Sequence, residues 1–201
     1  MKVDIIIPTL KPLGQLVSLM YEVRKTATGG GDIIATCEIA CAARNRNIGL
    51  DRSKTDIVIM IDDDVCNFPQ GWDEALAKVV ADDPLCMMSS ARLLNPDGSL
   101  GQMLGHPPGL EDGSLWTAHL QELPTACIAM RKSDLRYDED FVGSGWEDTG
   151  YAAAIRTREP NAKFIVHGGV RVTHINEMKN QSGKFFQQNR ATYVRKWGEP
   201  R

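Results

Sequence analysis

The chain lacks the features of a cross-linked, membrane-spanning or polyanion-coating protein. Its five cysteines, Cys37, Cys41, Cys66, Cys86 and Cys127, are odd in number and include no Cys-x-x-Cys pair. That argues against a disulfide framework and against a zinc knuckle. A reducing compartment suits such thiols, so the expected location is the cytoplasm. Long hydrophobic runs are missing too. The apolar stretch at residues 5–7 is closed by Pro8 and is too short for a signal peptide or a spanning helix. No sign of charge dominates: the formal net charge of -3 offers no global attraction to nucleic acid or anionic lipid. Internal repeats, low-complexity tracts and a domain linker are also absent, and 201 residues suit a single domain over 1–201.

What is present alternates. The β-branched run at 3–7 reads as a buried strand that Pro8 stops, opening a loop at 9–12. Leu16, Val17, Met20 and Val23 recur at helical spacing, Gly29-Gly30-Gly31 breaks the chain, and an apolar run comes next at 33–35. Residues 38–50 read as an Ala-rich helix ending near Gly49. Ile57-Val58-Ile59-Met60-Ile61 is apolar throughout, the pattern of a strand covered on both faces. Trp72, Leu76, Val79 and Val80 mark another helix. This order predicts an α/β fold: one Rossmann-like domain with a central, mostly parallel mixed sheet flanked by helices and ligands beyond the carboxyl ends of the strands. Further on, strands are expected at 85–88 and 125–130, a Gly/Pro-rich loop at 101–113, a helix at 146–156 and a strand or hairpin at 163–172. Phe185, Asn189, Tyr193 and Trp197, spaced by four, predict a C-terminal helix with an aromatic stripe on the domain.

Three acids demand an explanation. Asp62-Asp63-Asp64 directly follow the apolar strand, where adjacent carboxylates repel and lose solvation. A divalent cation compensates them, since Asp62 and Asp64 can point to one side of an extended turn; a solvated acidic turn is the bland reading. Glu147-Asp148 follow Gly143-Ser144-Gly145-Trp146, at a helix start where acids are favoured by the dipole with or without a catalytic role. His174 follows the run Val170-Arg171-Val172-Thr173. An imidazole added to carboxylates suits manganese or another transition ion. From Lys179 onward six basic residues face the single acid Glu199, either as a solvated face or as a patch for a phosphorylated donor or polyanionic acceptor.

The order of these pieces resembles the inverting nucleotide-sugar glycosyltransferases of the A-type fold, especially the large family 2 group. The resemblance rests on Ile5-Ile6-Ile7-Pro8-Thr9, Ala42-Ala43-Arg44-Asn45-x-x-Ile48-Gly49-Leu50, and Ile59-Met60-Ile61-Asp62-Asp63-Asp64-Val65. It continues through Thr125-Ala126-Cys127-Ile128-Ala129-Met130-Arg131-Lys132-Ser133 and Phe141-Val142-Gly143-x-Gly145-Trp146-Glu147-Asp148, and ends with Val172-Thr173-His174 and Asn189-Arg190. Nearly the whole chain is covered.

The resemblance implies a sugar transfer from a nucleotide-diphosphate sugar, a UDP-sugar favoured, to an acceptor hydroxyl, with Mn²⁺ or Mg²⁺ as cofactor. Residues 1–100 would form the nucleotide-sugar and metal half and 101–201 the acceptor half. Pro8 and Thr9 would border the donor base, Arg44 and Asn45 the nucleotide, and Asp62 and Asp63 the nucleoside. Asp62, Asp64 and His174 would hold the metal. Asp148 would be the base, with Glu147 beside it as the other candidate, and Gly145 and Trp146 would shape the acceptor side. Where the family has an Asp followed by Gly or Ser after its second strand, this chain has Ala35-Thr36-Cys37-Glu38, so the base-reading carboxylate is either Asp32 or Glu38.

Three rivals stand beside this reading. Asp62-x-Asp64 after an apolar strand also resembles the nucleophile motif of haloacid-dehalogenase-type phosphatases, with Asp62 as nucleophile, although that strand usually opens its domain. A nucleotidyltransferase needs a glycine-rich loop that Pro8-Thr9-Leu10-Lys11-Pro12 does not supply. A non-catalytic sugar- or nucleotide-binding module would use the same groups without turnover. Protein, lipid-linked glycan, small metabolite and a hydroxylated DNA base, as for viral DNA-modifying glycosyltransferases, all remain open as acceptors.

Overall fold

The run Ile57–Ile61 forms strand β3 and is buried at every position, because successive side chains leave a strand on opposite faces and both faces are covered. The computed structural model describes residues 1–38, 41–101, 114–119, 123–175 and 179–200. Ahead of β3 come β1 (Asp4–Pro8), helix α1 (Val17–Thr26), β2 (Ile33–Thr36) and α2 (Ala42–Arg52). After it come β4 (Val65–Cys66), α3 (Trp72–Asp82), β5 (Cys86–Leu94), β6 (Leu115–Thr117), β7 (Cys127–Arg131), α4 (Glu147–Arg158), β8 (Lys163–His174) and α5 (Lys179–Trp197).

All the described strands join one sheet, in the order β2-β1-β3-β7-β5-β8-β4 with β6 on β8. β1, β2, β3, β5 and β8 run one way, and β4, β6 and β7 oppose them. The expected mostly parallel mixed sheet flanked by helices is what forms. Ile5, Ile7, Ile57, Ile59 and Ile61 pack toward Leu19 and Val23 of α1 and Trp72, Leu76 and Val80 of α3. Ile6, Val58 and Met60 pack on the other face toward Leu50 of α2 and Tyr151 and Ile155 of α4. Gly49 lets α2 lie against β1, since a Cβ there would sit 2.2 Å from Ile6 Cγ2. That close approach brings the side chains of α2 to the carboxyl ends of β1 and β3.

Some boundaries differ from expectation. α2 begins at Ala42 rather than residue 38. β5 continues past residue 88 to Leu94, because its pairing with β8 carries on through Ser89, Ser90 and Arg92, where the apolar pattern stops. β4 and β6 add to the expected elements: one has two residues and the other an exposed, half-buried, exposed pattern, neither enough to show a period. The loop expected at 101–113 lies, beyond Gly101, outside the described residues. All five cysteines are free. Among the described residues no helix is long and apolar enough to cross a membrane.

Candidate active site

Strand ends build the first wall. Thr9 leaves β1 and donates its backbone N–H to Thr36 O at 2.9 Å, while Asn45 Nδ2 donates to Thr9 O at 3.1 Å. Asn45 is itself fixed, its carbonyl accepting from Thr36 Oγ1 at 2.8 Å. The Thr9 hydroxyl donates to the Asp63 carboxylate, and Lys11 Nζ reaches Asp63 Oδ1 at 3.4 Å. These bonds tie Asp63 to the loop that follows β1.

The two-residue strand β4 then completes an acidic corner. It pairs Val65 with His174 and Cys66 with Thr173, and Ile175 N–H donates to Asp64 O at 3.0 Å. The end of β8 is thereby laid beside the Asp triplet, with His174 Nε2 3.2 Å from Asp64 Oδ1. Asp62, Asp64 and His174 each offer a ligand atom within 4.8 Å of the others. Two carboxylates and one imidazole converging at this spacing fit a divalent ion, with the imidazole favouring a transition metal.

The opposite wall is the start of α4. Gly143 and Gly145 have φ of 64° and 98°, and Trp146 takes φ 72° as the N-cap, a conformation a tryptophan adopts only when its surroundings impose it. Here Asn189 of α5, fully buried, imposes it. Its Nδ2 donates to Val142 O at 2.9 Å and to Gly145 O at 2.8 Å, and its Oδ1 accepts from Val142 N at 3.0 Å. The turn places Glu147 and Asp148 in the first turn of α4, where the helix dipole favours negative charge. Asp148 accepts from the Thr125 hydroxyl through Oδ2 and from Thr149 N at 2.7 Å through Oδ1.

Arg46 joins the walls. Its Nη2 lies 2.9 Å from Asp62 Oδ1 and its Nη1 2.8 Å from Glu147 Oε1. Burial works against its charge, and Asp62 and Glu147 outweigh that effect and hold its pKa above the ordinary value. Burial also raises the Asp62 carboxyl, with Arg46 opposing. Glu147 is pushed up to about 7 by burial, against the pull of Arg46. The folded protein therefore retains a proton there that the unfolded chain releases near the ordinary 4.5. Between about pH 4.5 and about 7 the folded state binds more protons, so this group's contribution to stability falls as pH rises through that window. Glu147→Gln is expected to flatten that segment of the curve of Tm against pH in metal-free protein; an unchanged slope would show that Glu147 does not titrate there.

One cleft of about 420 Å³ gathers most of the residues singled out in the sequence. Pro8, Thr9, Asn45, Asp62, Asp63 and Asp64 line it from the strand side. Gly145, Glu147, Asp148 and His174 line it from the other. Four others are placed elsewhere. Arg44 lies on the surface and pairs with Glu139 at 2.7 Å. Glu38 is exposed and pairs with Arg52, and Asp32 is exposed as well, so neither candidate for reading the base is among the residues lining the cleft. Trp146 turns its ring toward Phe186 and Tyr193, with centroids 5.5 and 5.2 Å away.

Arg46, Lys11 and Thr125 also line the cleft, and the sequence assigns no role to any of them, although Thr125 opens one of the motifs that carry the resemblance. Arg46 had a readable signal: it lies three residues after Ala43 and four before Leu50, both in the core, and an arginine on the buried stripe of a helix requires carboxylate partners.

No family model and no curated protein sequence matches this chain. Solved structures do. A crystal structure of GalNAc-T7 with UDP, GalNAc and Mn²⁺ superimposes with a TM-score of 0.68 at 14% identity, over 96% of this chain and 47% of that one. A structure of S. aureus TarS, residues 1–349, gives 0.59 at 12% identity, over 96% of this chain and 64% of that one. A mycobacterial protein gives 0.65 at 12% identity, over 100% of this chain and 76% of that one. The chain thus spans about half the length of the GalNAc-T7 structure. Its sheet and flanking helices have the A-type glycosyltransferase fold.

Proposed function

We propose that the chain is a metal-dependent glycosyltransferase that moves a sugar from a nucleotide-diphosphate sugar, a UDP-sugar favoured, to an acceptor hydroxyl with inversion at the anomeric carbon. One observation carries this reading: the Asp62, Asp64 and His174 cluster and the Asp148 carboxylate face the same cleft. Structures similar to this fold hold UDP, with Mn²⁺ in GalNAc-T7, which supports the choice of donor and cation.

Asp62, Asp64 and His174 would hold Mn²⁺ or Mg²⁺. When bound there, a divalent ion supplies charge neutralisation to a departing diphosphate. Thr9 and Asn45 keep the strand-end loop in place beside the donor. Asp148 takes the proton of the attacking hydroxyl on the face of the sugar away from the diphosphate, which gives a single displacement and inverted configuration. Both acids line the cleft; Asp148 rather than Glu147 is assigned as the base, because Glu147 is 3% exposed and committed to Arg46, whereas Asp148 is half-buried. Gly145 belongs to the acceptor side.

Among the described basic residues of the C-terminal segment, Arg190 pairs with Glu199 at 2.6 Å and Lys196 with Asp140 at 2.7 Å; the side chains of Lys179 and Lys184, and Arg201, lie outside the described residues. The deciding experiment is a panel of nucleotide sugars incubated with Mn²⁺ or Mg²⁺ and read for nucleoside diphosphate release. Metal-dependent release from one donor is expected. Phosphate release from a phosphomonoester with no nucleotide-sugar turnover would overturn the reading in favour of a phosphatase using Asp62, and donor binding without turnover would favour a binding module.

A further inference from the structure

We propose that Arg46 is a positioning residue that couples the metal corner to the base-bearing helix through one guanidinium. The inference rests on the glycosyltransferase reading and goes beyond it, since it concerns how two walls of the cleft are kept in register. Arg46 is fixed on three sides. Nη2 holds Asp62 Oδ1 at 2.9 Å, Nη1 holds Glu147 Oε1 at 2.8 Å, and the guanidinium carbon lies 5.5 Å from the Tyr137 ring centroid. Tyr137 in turn stacks on Tyr151 of α4 at 4.2 Å and exchanges hydrogen bonds with Asn47 of α2, 2.8 and 2.9 Å long. Tyr137, the aromatic partner of the guanidinium, is therefore itself held.

The consequence for the metal corner is stereochemical. With Oδ1 of Asp62 held by Arg46, the orientation of that carboxylate relative to Asp64 and His174 is set by the guanidinium. The consequence for the acceptor side is spatial. Glu147 precedes Asp148 in the first turn of α4, so fixing the first fixes the distance of the second from the metal corner. The sequence places these groups just after β3, on α2 and at the start of α4, and the planar fork of the arginine meets the two carboxylates through separate nitrogens in a fixed geometry. A lysine amine has the charge without the fork.

The test is a double-mutant cycle of Arg46→Lys and Glu147→Gln. The readouts are Mn²⁺ affinity, measured by electron paramagnetic resonance of the free ion without donor, and kcat and KM for donor turnover at saturating Mn²⁺. Arg46→Lys is expected to weaken Mn²⁺ binding by ~10-fold, the range for a partner of a metal ligand. It is expected to lower kcat by ~10²-fold, the effect of displacing a reacting group by about 1 Å, with donor KM little changed. Glu147→Gln, although it ligates nothing, is expected to shift Mn²⁺ affinity as well, and the two effects are expected not to multiply, because they act through one group.

Effects on Mn²⁺ affinity that multiply independently, or wild-type Mn²⁺ binding and turnover in Arg46→Lys, would overturn the coupling while leaving the glycosyltransferase reading intact. Absence of Mn²⁺ binding by the wild-type protein would overturn both. Arg46→Met combined with Glu147→Gln removes the guanidinium together with the charge of the more deeply buried of its two carboxylate partners, leaving only the half-buried Asp62 without its cation; if it folds and matches wild-type kcat, the proposal fails.

Discussion

Asp148→Asn is expected to leave a folded protein that binds metal and donor and turns over ~10²- to 10⁴-fold more slowly, the loss associated with removing a general base. The substitution keeps the shape of the side chain, and its amide oxygen can still accept from the Thr125 hydroxyl or from Thr149 N–H, the two donors that fix the native carboxylate. It loses the lone pair that takes the proton. Asp148 is not a member of the Asp62, Asp64 and His174 cluster, so Mn²⁺ affinity and donor KM should stay near wild type while kcat collapses. The one expected structural effect is a small drop in Tm, because a negative charge in a helix's first turn contributes about 0.3–1 kcal/mol. Steady-state kinetics with the preferred donor decide the matter. If kcat falls by less than ~10-fold, proton transfer to this group is not a substantial part of the barrier, a factor of ten being about 1.4 kcal/mol.

Asp64→Asn should act on the other side of the reaction. Asp64 is 8% exposed and its carboxylate sits 3.2 Å from His174 Nε2, so its loss removes a ligand from the centre of the cluster. A cation at developing charge is worth several kcal/mol, so turnover should fall by ~10²-fold or more. Unlike Asp148→Asn, this change should also abolish the dependence on metal. Calorimetric titration with Mn²⁺ and thermal unfolding with and without the ion give an independent reading. Wild-type protein should gain stability from Mn²⁺ by mass action, whereas Asp64→Asn should not. In chelator the variant should be at least as stable as wild type, since it relieves repulsion among Asp62, Asp63 and Asp64. A variant that still gains stability from Mn²⁺ would place the ion elsewhere.

The two variants divide the mechanism, and Arg46 lies between them. If the coupling through its guanidinium holds, metal binding and base placement are two readouts of one buried group. A cleft lined by Asp62, Asp63, Asp64, Glu147 and Asp148 with Lys11 and Arg46 as cations is also an unfavourable place for an empty site. Burial raises the Asp62 and Glu147 carboxyls, and the neighbouring acids add to it.

Much of the site was legible because its signals are local. The isoleucine-rich run Ile57–Ile61 admits one reading as a strand buried on both faces, and in an alternating fold the carboxyl end of such a strand is the ligand-binding edge. The acids at 147 and 148 come after a glycine-rich turn, and the helix begins at Glu147. Arg44 and Arg46 show the opposite case. They stand two positions apart on one helix and point in different directions, Arg44 to surface Glu139 and Arg46 into the core. Similarity of motif points to the first; burial selects the second. The place of Glu38 after β2 suggests a base-reading role, yet its carboxylate is bound to Arg52 on the surface.

By itself, the sequence determined the alternation of strands and helices, the acidic strand end and the charged helix start, since each depends on periodicity and turn chemistry within a short window. Only the tertiary structure decided which groups meet. His174 reaches Asp64 because a two-residue strand pairs with the end of β8, and Arg46 reaches Glu147 because Gly49 lets α2 settle on β1. Both depend on pairing register and helix seating between distant segments, and those are fixed by packing across the whole sheet rather than by any local pattern.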